Sequence, residues 1–111
     1  MPAPTAFVSH PHVSFDVAID LTHRTLRPSG EVDTATAPIL LQAANALIAT
    51  AVGDLTIDLA GVTFADSGLL SALLDIRNQL RAQGAGLWLV NEPSCVRRIF
   101  FACGFWAELA L

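Results

Sequence analysis

A hydroxyl stands between a carboxylate and a glycine at Asp66-Ser67-Gly68, where a β-type run, Leu55 to Leu59, passes through a short turn into an amphipathic helical run. A helix N-terminus presents free backbone N–H groups and the positive end of the helix dipole. Three uses suit a hydroxyl there: a phosphorylated serine, a contact to a ligand phosphate, or a plain N-cap. Asp66 caps as well as serine does, which would leave Ser67 as the first helical residue with its hydroxyl exposed. A phosphate on Ser67 would gain from the dipole. It would also place about two negative charges beside Asp66 and repel a partner presenting carboxylates or apolar surface.

Other chemistries lack their residues. His10, His12 and His23 all lie early in the chain without paired metal-ligand spacing, and Cys95 and Cys103 do not form C-x-x-C, so no metal site or cofactor is expected. Asp33, Asp58 and Asp66 could meet at the ends of parallel strands and hold magnesium. Their ordinary roles are expected instead: a solvent-facing strand position for Asp58, turn and cap positions for Asp33 and Asp66. No histidine follows Ser67 to act as its base, and G-x-S-x-G, G-x-x-x-x-G-K-[ST] and G-x-G-x-x-G are all missing. The chain does not read as an enzyme.

The elements that must position the turn follow from periodicity. Strands are expected at 12–20, where Val13, Phe15, Val17 and Ile19 alternate with polar residues, and at 25–30, where Pro28 suggests an edge or bulge. Further strands are expected at 55–59 and 87–90. Thr36 is expected to cap a helix running to about Ala51, with Leu40, Ala44, Leu47, Ile48 and Ala51 as its core stripe. A second helix spans about 68–83, with Leu69, Leu73, Ile76 and Leu80 inward. A third, capped by Ser94, spans 95–102, and a last helical turn is expected within 105–111. The order β-β-α-β-α-β-α predicts an α/β domain, a mostly parallel central sheet of about four strands with helices packed against it.

With 111 residues, 53% of them hydrophobic, the chain suits one domain, residues 12–111, behind a flexible arm at 1–11. No apolar run reaches the roughly 18–20 residues of a membrane span, and no signal-peptide pattern opens the chain, so a cytoplasmic protein without membrane insertion is expected. A net charge of −4, with six arginines and no lysine, argues against nucleic acid as a partner. Cys95 and Cys103 would sit about 12 Å apart on one helix, too far for a disulfide, and are expected to be buried thiols. Trp88, Phe105 and Trp106 are expected in the core.

These stretches together resemble the STAS-domain anti-sigma factor antagonists, or anti-anti-sigma factors. Gly30-Glu31-Val32-Asp33 followed by Thr36-Ala37-Pro38 is similar to the family's entry to its first helix. Leu55 to Phe64 is similar to its central strand, and Phe64 to Leu74 to its F-x-D-S-[ST]-G-L-x-x-L-L switch. The run L-V-N-E-P-S-x-V-R-R-I-F is similar to its C-terminal part. The resemblance implies binding to an anti-sigma factor with a histidine-kinase-like ATP-binding fold, which frees a sigma factor for transcription in bacterial stress responses. It also implies release when the partner phosphorylates the switch residue.

The switch itself departs from the pattern. A gapless alignment, the simpler expectation, matches Asp66 and Ser67 but puts Gly68 at the usual acceptor, where no phosphate can attach. Shortening the turn by one residue makes Ser67 the acceptor and candidate phosphosite, followed by the family's Gly-Leu. The partner-binding surface implied by the resemblance comprises Asp33, Asp66, Ser67, Gly68, Leu69 and Ser71, in a monomer or weak dimer. Replacing Ser67 by Asp or Gly68 by Glu is expected to weaken binding. Alternatives are a STAS interaction module of a transporter or stress-signalling complex, and a STAS domain that binds a small ligand or nucleotide.

Overall fold

The computed structural model describes residues 5–9 and 15–104. Six strands form one sheet: β1 (Thr5–Ser9), β2 (Phe15–Asp20), β3 (Thr25–Val32), β4 (Leu55–Asp58), β5 (Gly61–Ala65) and β6 (Leu87–Val90). The helices are α1 (Ala37–Thr50), α2 (Ser67–Ala82) and α3 (Ser94–Ala102). The strand order is β1-β2-β3-β4-β6, with β5 also paired to β3. The β1–β2 and β2–β3 pairs are antiparallel; β4 and β5 run parallel to β3, and β6 parallel to β4. The sheet is thus mostly parallel, as the single-strand crossovers require, but it has six strands rather than about four.

One additional strand lies in the expected arm, and the other in the second half of the stretch, Leu55 to Phe64, that resembles the family's central strand. β1 occupies part of the segment expected to be a loose arm, and pairs along β2 from Thr5 opposite Asp20 to Ser9 opposite Asp16. Residues 12–14 of the expected first strand, with Val13, lie outside the described residues. β4 and β5 are two pieces of one line beside β3. Thr25 and Leu26 pair with β4, Ser29 to Val32 pair with β5, and the line breaks at Leu59-Ala60. Asp58 Oδ1 accepts the Ala60 N–H at 3.1 Å, and the Val62 N–H donates to the Leu59 carbonyl at 3.1 Å, turning the chain.

Pro28 lies where β4 hands over to β5. Of the expected edge or bulge it takes neither: it occupies an inner strand, with the register shift of β3 at Gly30-Glu31, and is tolerated because neither β4 nor β5 pairs with it. Gly61 completes the junction. A Cβ there would lie 2.8 Å from Ser29 Cβ and 3.0 Å from the Pro28 carbonyl oxygen.

The core lies between sheet and helices. Phe15, Val17 and Ile19 of β2, Leu26 and Val32 of β3, and Leu55 and Ile57 of β4 are buried with Leu40, Ala44, Leu47 and Ile48 of α1. Ala51 falls just past α1 and is exposed. Leu69, Leu73, Ile76 and Leu80 of α2 are each fully buried, following the expected period. The turn between β2 and β3 carries Arg24 at φ 46°, and its guanidinium donates to the carbonyls of Leu47, Gly53 and Asp54. A cation thereby satisfies carbonyls at and beyond the C-terminal turn of α1.

Three expectations fail at the periphery. Trp88 is 61% exposed because it alternates with Leu87 and Leu89, which pack against the core, and so points to the opposite face of the sheet. Cys103 is exposed beyond the last residue of α3, while Cys95 is half-buried with Sγ 3.6 Å from the Val62 carbonyl oxygen; both are free thiols. Pro93, not Ser94, caps α3. Phe105, Trp106, His10 and His12 lie outside the described residues.

Candidate functional site

The parallel strands β3 and β5 end side by side, and each feeds a helix. The Asp66 N–H donates to the Val32 carbonyl at 3.2 Å, which ties the end of β5 to the end of β3. Asp66 is the N-cap of α2: its Oδ1 accepts the Gly68 N–H at 2.7 Å. Ser67 is the first residue of α2 and is exposed, and its hydroxyl has no hydrogen bond to any described residue.

Gly68 is buried, and its fit explains its type. A Cβ there would lie 2.7 Å from the Asp33 carbonyl carbon, 2.8 Å from its oxygen and 2.8 Å from the Thr34 nitrogen. These are backbone atoms, which cannot swing aside. The N-terminus of α2 therefore rests directly on the loop before α1, and only glycine permits that approach.

The loop before α1 is itself braced. Asp33 Oδ1 accepts the N–H groups of Ala35 and Thr36, both at 2.9 Å. These bonds, that from Thr36 foremost, hold the Asp33 carboxyl below its ordinary value of 3.8. Thr36 occupies the expected cap position of α1, but its side chain makes no cap bond. Its hydroxyl accepts the Asp33 N–H at 2.9 Å and donates to the Glu31 carbonyl at 2.7 Å, so it locks the strand end to the loop. Thr36 is 3% exposed.

Between the two helix starts lies a groove of about 260 Å³, lined by Thr34, Ala37, Pro38, Leu41, Ser67, Gly68, Ser71, Ala72 and Asp75. The structure thus brings together Asp33, Asp66, Ser67, Gly68 and Ser71 of the expected surface. Leu69 is different: it is fully buried and supports the turn from beneath. Asp58 stands apart from Asp33 and Asp66, bonded to Asn91 at 3.2 Å and 3.6 Å from Arg27. Sequence reasoning missed Phe64, which is 48% exposed two residues before the cap and lies opposite Glu31. Its aromatic character in a strand reads as core, and only its place on β5 leaves it uncovered.

A family model described as "Mlab, STAS domain" matches residues 15–107. The chain belongs to the STAS domain family. An anti-sigma factor antagonist from Mycobacterium paratuberculosis is similar at 29% identity and a TM-score of 0.69, over 100% of this chain and 89% of that one. SpoIIAA, an anti-sigma factor antagonist in its unphosphorylated form, shares the fold at 23% identity and a TM-score of 0.65, over 82% of this chain and 81% of its own. The murine anion transporter Slc26a9 does so at 15% identity and a TM-score of 0.63, over 98% of this chain but 19% of the transporter. No curated protein matches the sequence. No helix among the described residues of this STAS domain is long and apolar enough to cross a membrane.

Proposed function

We propose that this STAS domain is an anti-sigma factor antagonist. It binds a kinase-type anti-sigma factor through the Asp33 loop, the turn at Asp66, Ser67 and Gly68, and the groove that runs to Ser71, and so frees a sigma factor. The observation that carries this reading is the free, exposed hydroxyl of Ser67 on the first residue of α2, above a glycine packed on the Asp33 backbone. The similarity to the mycobacterial anti-sigma factor antagonist supports it.

The same packing favours the shortened alignment. Gly68 does the work of the family's glycine after the acceptor, and Ser67 is the hydroxyl a kinase would reach. Phosphate on Ser67 would sit at the N-terminus of α2, favoured by the dipole, and would add about two charges beside Asp66 on the surface the partner contacts. Incubation with the cognate kinase and ATP, followed by intact mass and site mapping, is expected to place one phosphate on Ser67. Calorimetry is expected to show Ser67→Asp binding the anti-sigma factor more weakly than the parent. Unchanged affinity together with an unmodified Ser67 would remove the switch from this reading. Gly68→Glu is no longer a clean probe of charge, because its side chain collides with backbone.

The match to the Mlab model and the likeness to the Slc26a9 domain favour one second reading, an interaction module in a transport complex. Pull-down from the native cell distinguishes the two: a transport ATPase in place of an anti-sigma factor would establish it.

A further inference from the structure

Among the described residues, β6 pairs with β4 on one side and with no strand on the other. β6 has four residues, Leu87-Trp88-Leu89-Val90, without a charge or a proline. Natural sheet edges are usually blunted by such residues, so an apolar edge is a template for another strand. The Leu55 N–H donates to the Gly86 carbonyl and the Leu59 N–H to the Val90 carbonyl, in register with Leu55 opposite Leu87 and Ile57 opposite Leu89. In a parallel ladder this turns the backbone groups of Trp88 and Val90 toward β4. Those of Leu87 and Leu89 face the open side, where no described residue meets them.

The side chain at the centre is held ready. Trp88 is 61% exposed, yet its indole N–H donates to Asp54 Oδ2 at 3.1 Å, and Asp54 Oδ1 in turn accepts the Gly86 N–H at 2.8 Å. A large aromatic face is thus fixed toward solvent with little ordering left to lose on contact. Val90, 37% exposed, extends the same sheet face.

We propose that β6 pairs antiparallel with β6 of a second copy of this chain, about a two-fold axis at Trp88. In that register Leu87 faces Leu89 of the other copy and the reverse, and both pairs exchange N–H and C=O bonds, about four in all. Trp88 then faces its own counterpart at a non-hydrogen-bonded position, where side chains come closest and aromatic pairs are strongest. Shifting the register one way brings in Asn91, whose φ of 58° takes it out of the strand. Shifting it the other way brings in Ala85, which precedes β6. The self-complementary register is the one that uses the outward-facing backbone groups of both Leu87 and Leu89.

Sedimentation equilibrium of the full chain across micromolar to millimolar concentrations tests this. The expected result is a monomer–dimer equilibrium weakened roughly tenfold or more by Trp88→Lys, a substitution at a solvent-facing position. Trp88→Phe, which keeps the aromatic face, is expected to weaken it less. Far-UV circular dichroism is expected to show a tryptophan exciton couplet that grows with dimer fraction, survives Trp106→Phe and disappears in Trp88→Phe. A chain that stays monomeric throughout overturns the proposal, as does a dimer indifferent to Trp88→Lys. A monomer whose Trp88→Lys variant loses its protein partner also overturns it, by assigning the edge to that partner.

Discussion

The starts of α1 and α2 carry the same chemical kit, an aspartate and a hydroxyl residue, and differ in where the hydroxyl goes. At α1, Thr36 is buried and its hydroxyl joins the Asp33 N–H to the Glu31 carbonyl. At α2, Asp66 alone caps the helix, and the Ser67 hydroxyl is left facing solvent. One helix start is consumed in bracing the loop on which the other rests. The difference teaches that a helix-start hydroxyl becomes available for chemistry when a neighbouring side chain has already satisfied the helix.

The sharpest way to break this comparison is Gly68→Ala, which drives a methyl against the Asp33–Thr34 peptide. It is expected to destabilise the domain by about 2–3 kcal/mol in urea unfolding; an unchanged midpoint would mean that the two helix starts are not locked together. Thr36→Val comes next. It keeps the shape but leaves the Asp33 N–H and Glu31 carbonyl unmet, a loss of about 2 kcal/mol by the same measurement.

A smaller effect is expected from Asp33→Asn, and it is read from pH. Folding lowers the Asp33 pKa below its ordinary 3.8, so its contribution is full above that value and fades as pH falls through the folded pKa. Asp20 and Asp54 are lowered likewise, foremost by the His23 and Gly86 N–H groups, so part of the acid sensitivity survives in the variant. Stability measured between pH 5 and about 2 should therefore fall less steeply in Asp33→Asn than in the parent. Ser67→Ala is expected to do least, within about 0.5 kcal/mol, because its hydroxyl bonds no described residue. A large loss there would erase the contrast with Thr36.

Much of this was legible in the sequence. The α2 stripe from Leu69 to Leu80, the parallel crossovers and the turn at Asp66-Ser67 follow from period and cap chemistry. Ser67 as an exposed first helical residue was legible too, once Asp66 is taken as the cap; the role of Thr36 was not, since its hydroxyl serves the Asp33 N–H and the Glu31 carbonyl instead of the helix. The packing of Gly68 was not legible, because the peptide it rests on comes from Asp33, 35 positions earlier. β5 was not told apart from β4 because Leu55 to Phe64 read as one strand; the close approach at Gly61, which lets β5 line up with β3, shows only in the fold. Trp88 was expected inside because an apolar run alone does not say that only one face of the strand meets the core.

The break at Leu59-Ala60 has a consequence for how the molecule opens. β4 pairs with a strand on both sides, β3 and β6, whereas β5 pairs with β3 alone among the described residues. The strand that leads into Asp66 thus has one strand neighbour where β4 has two. Native-state amide exchange is expected to be faster across 61–65 than across 55–58, through a local opening that leaves the global fold intact. The Ser67 turn would then loosen and re-form as a unit of its own, on a shorter clock than the domain that carries it.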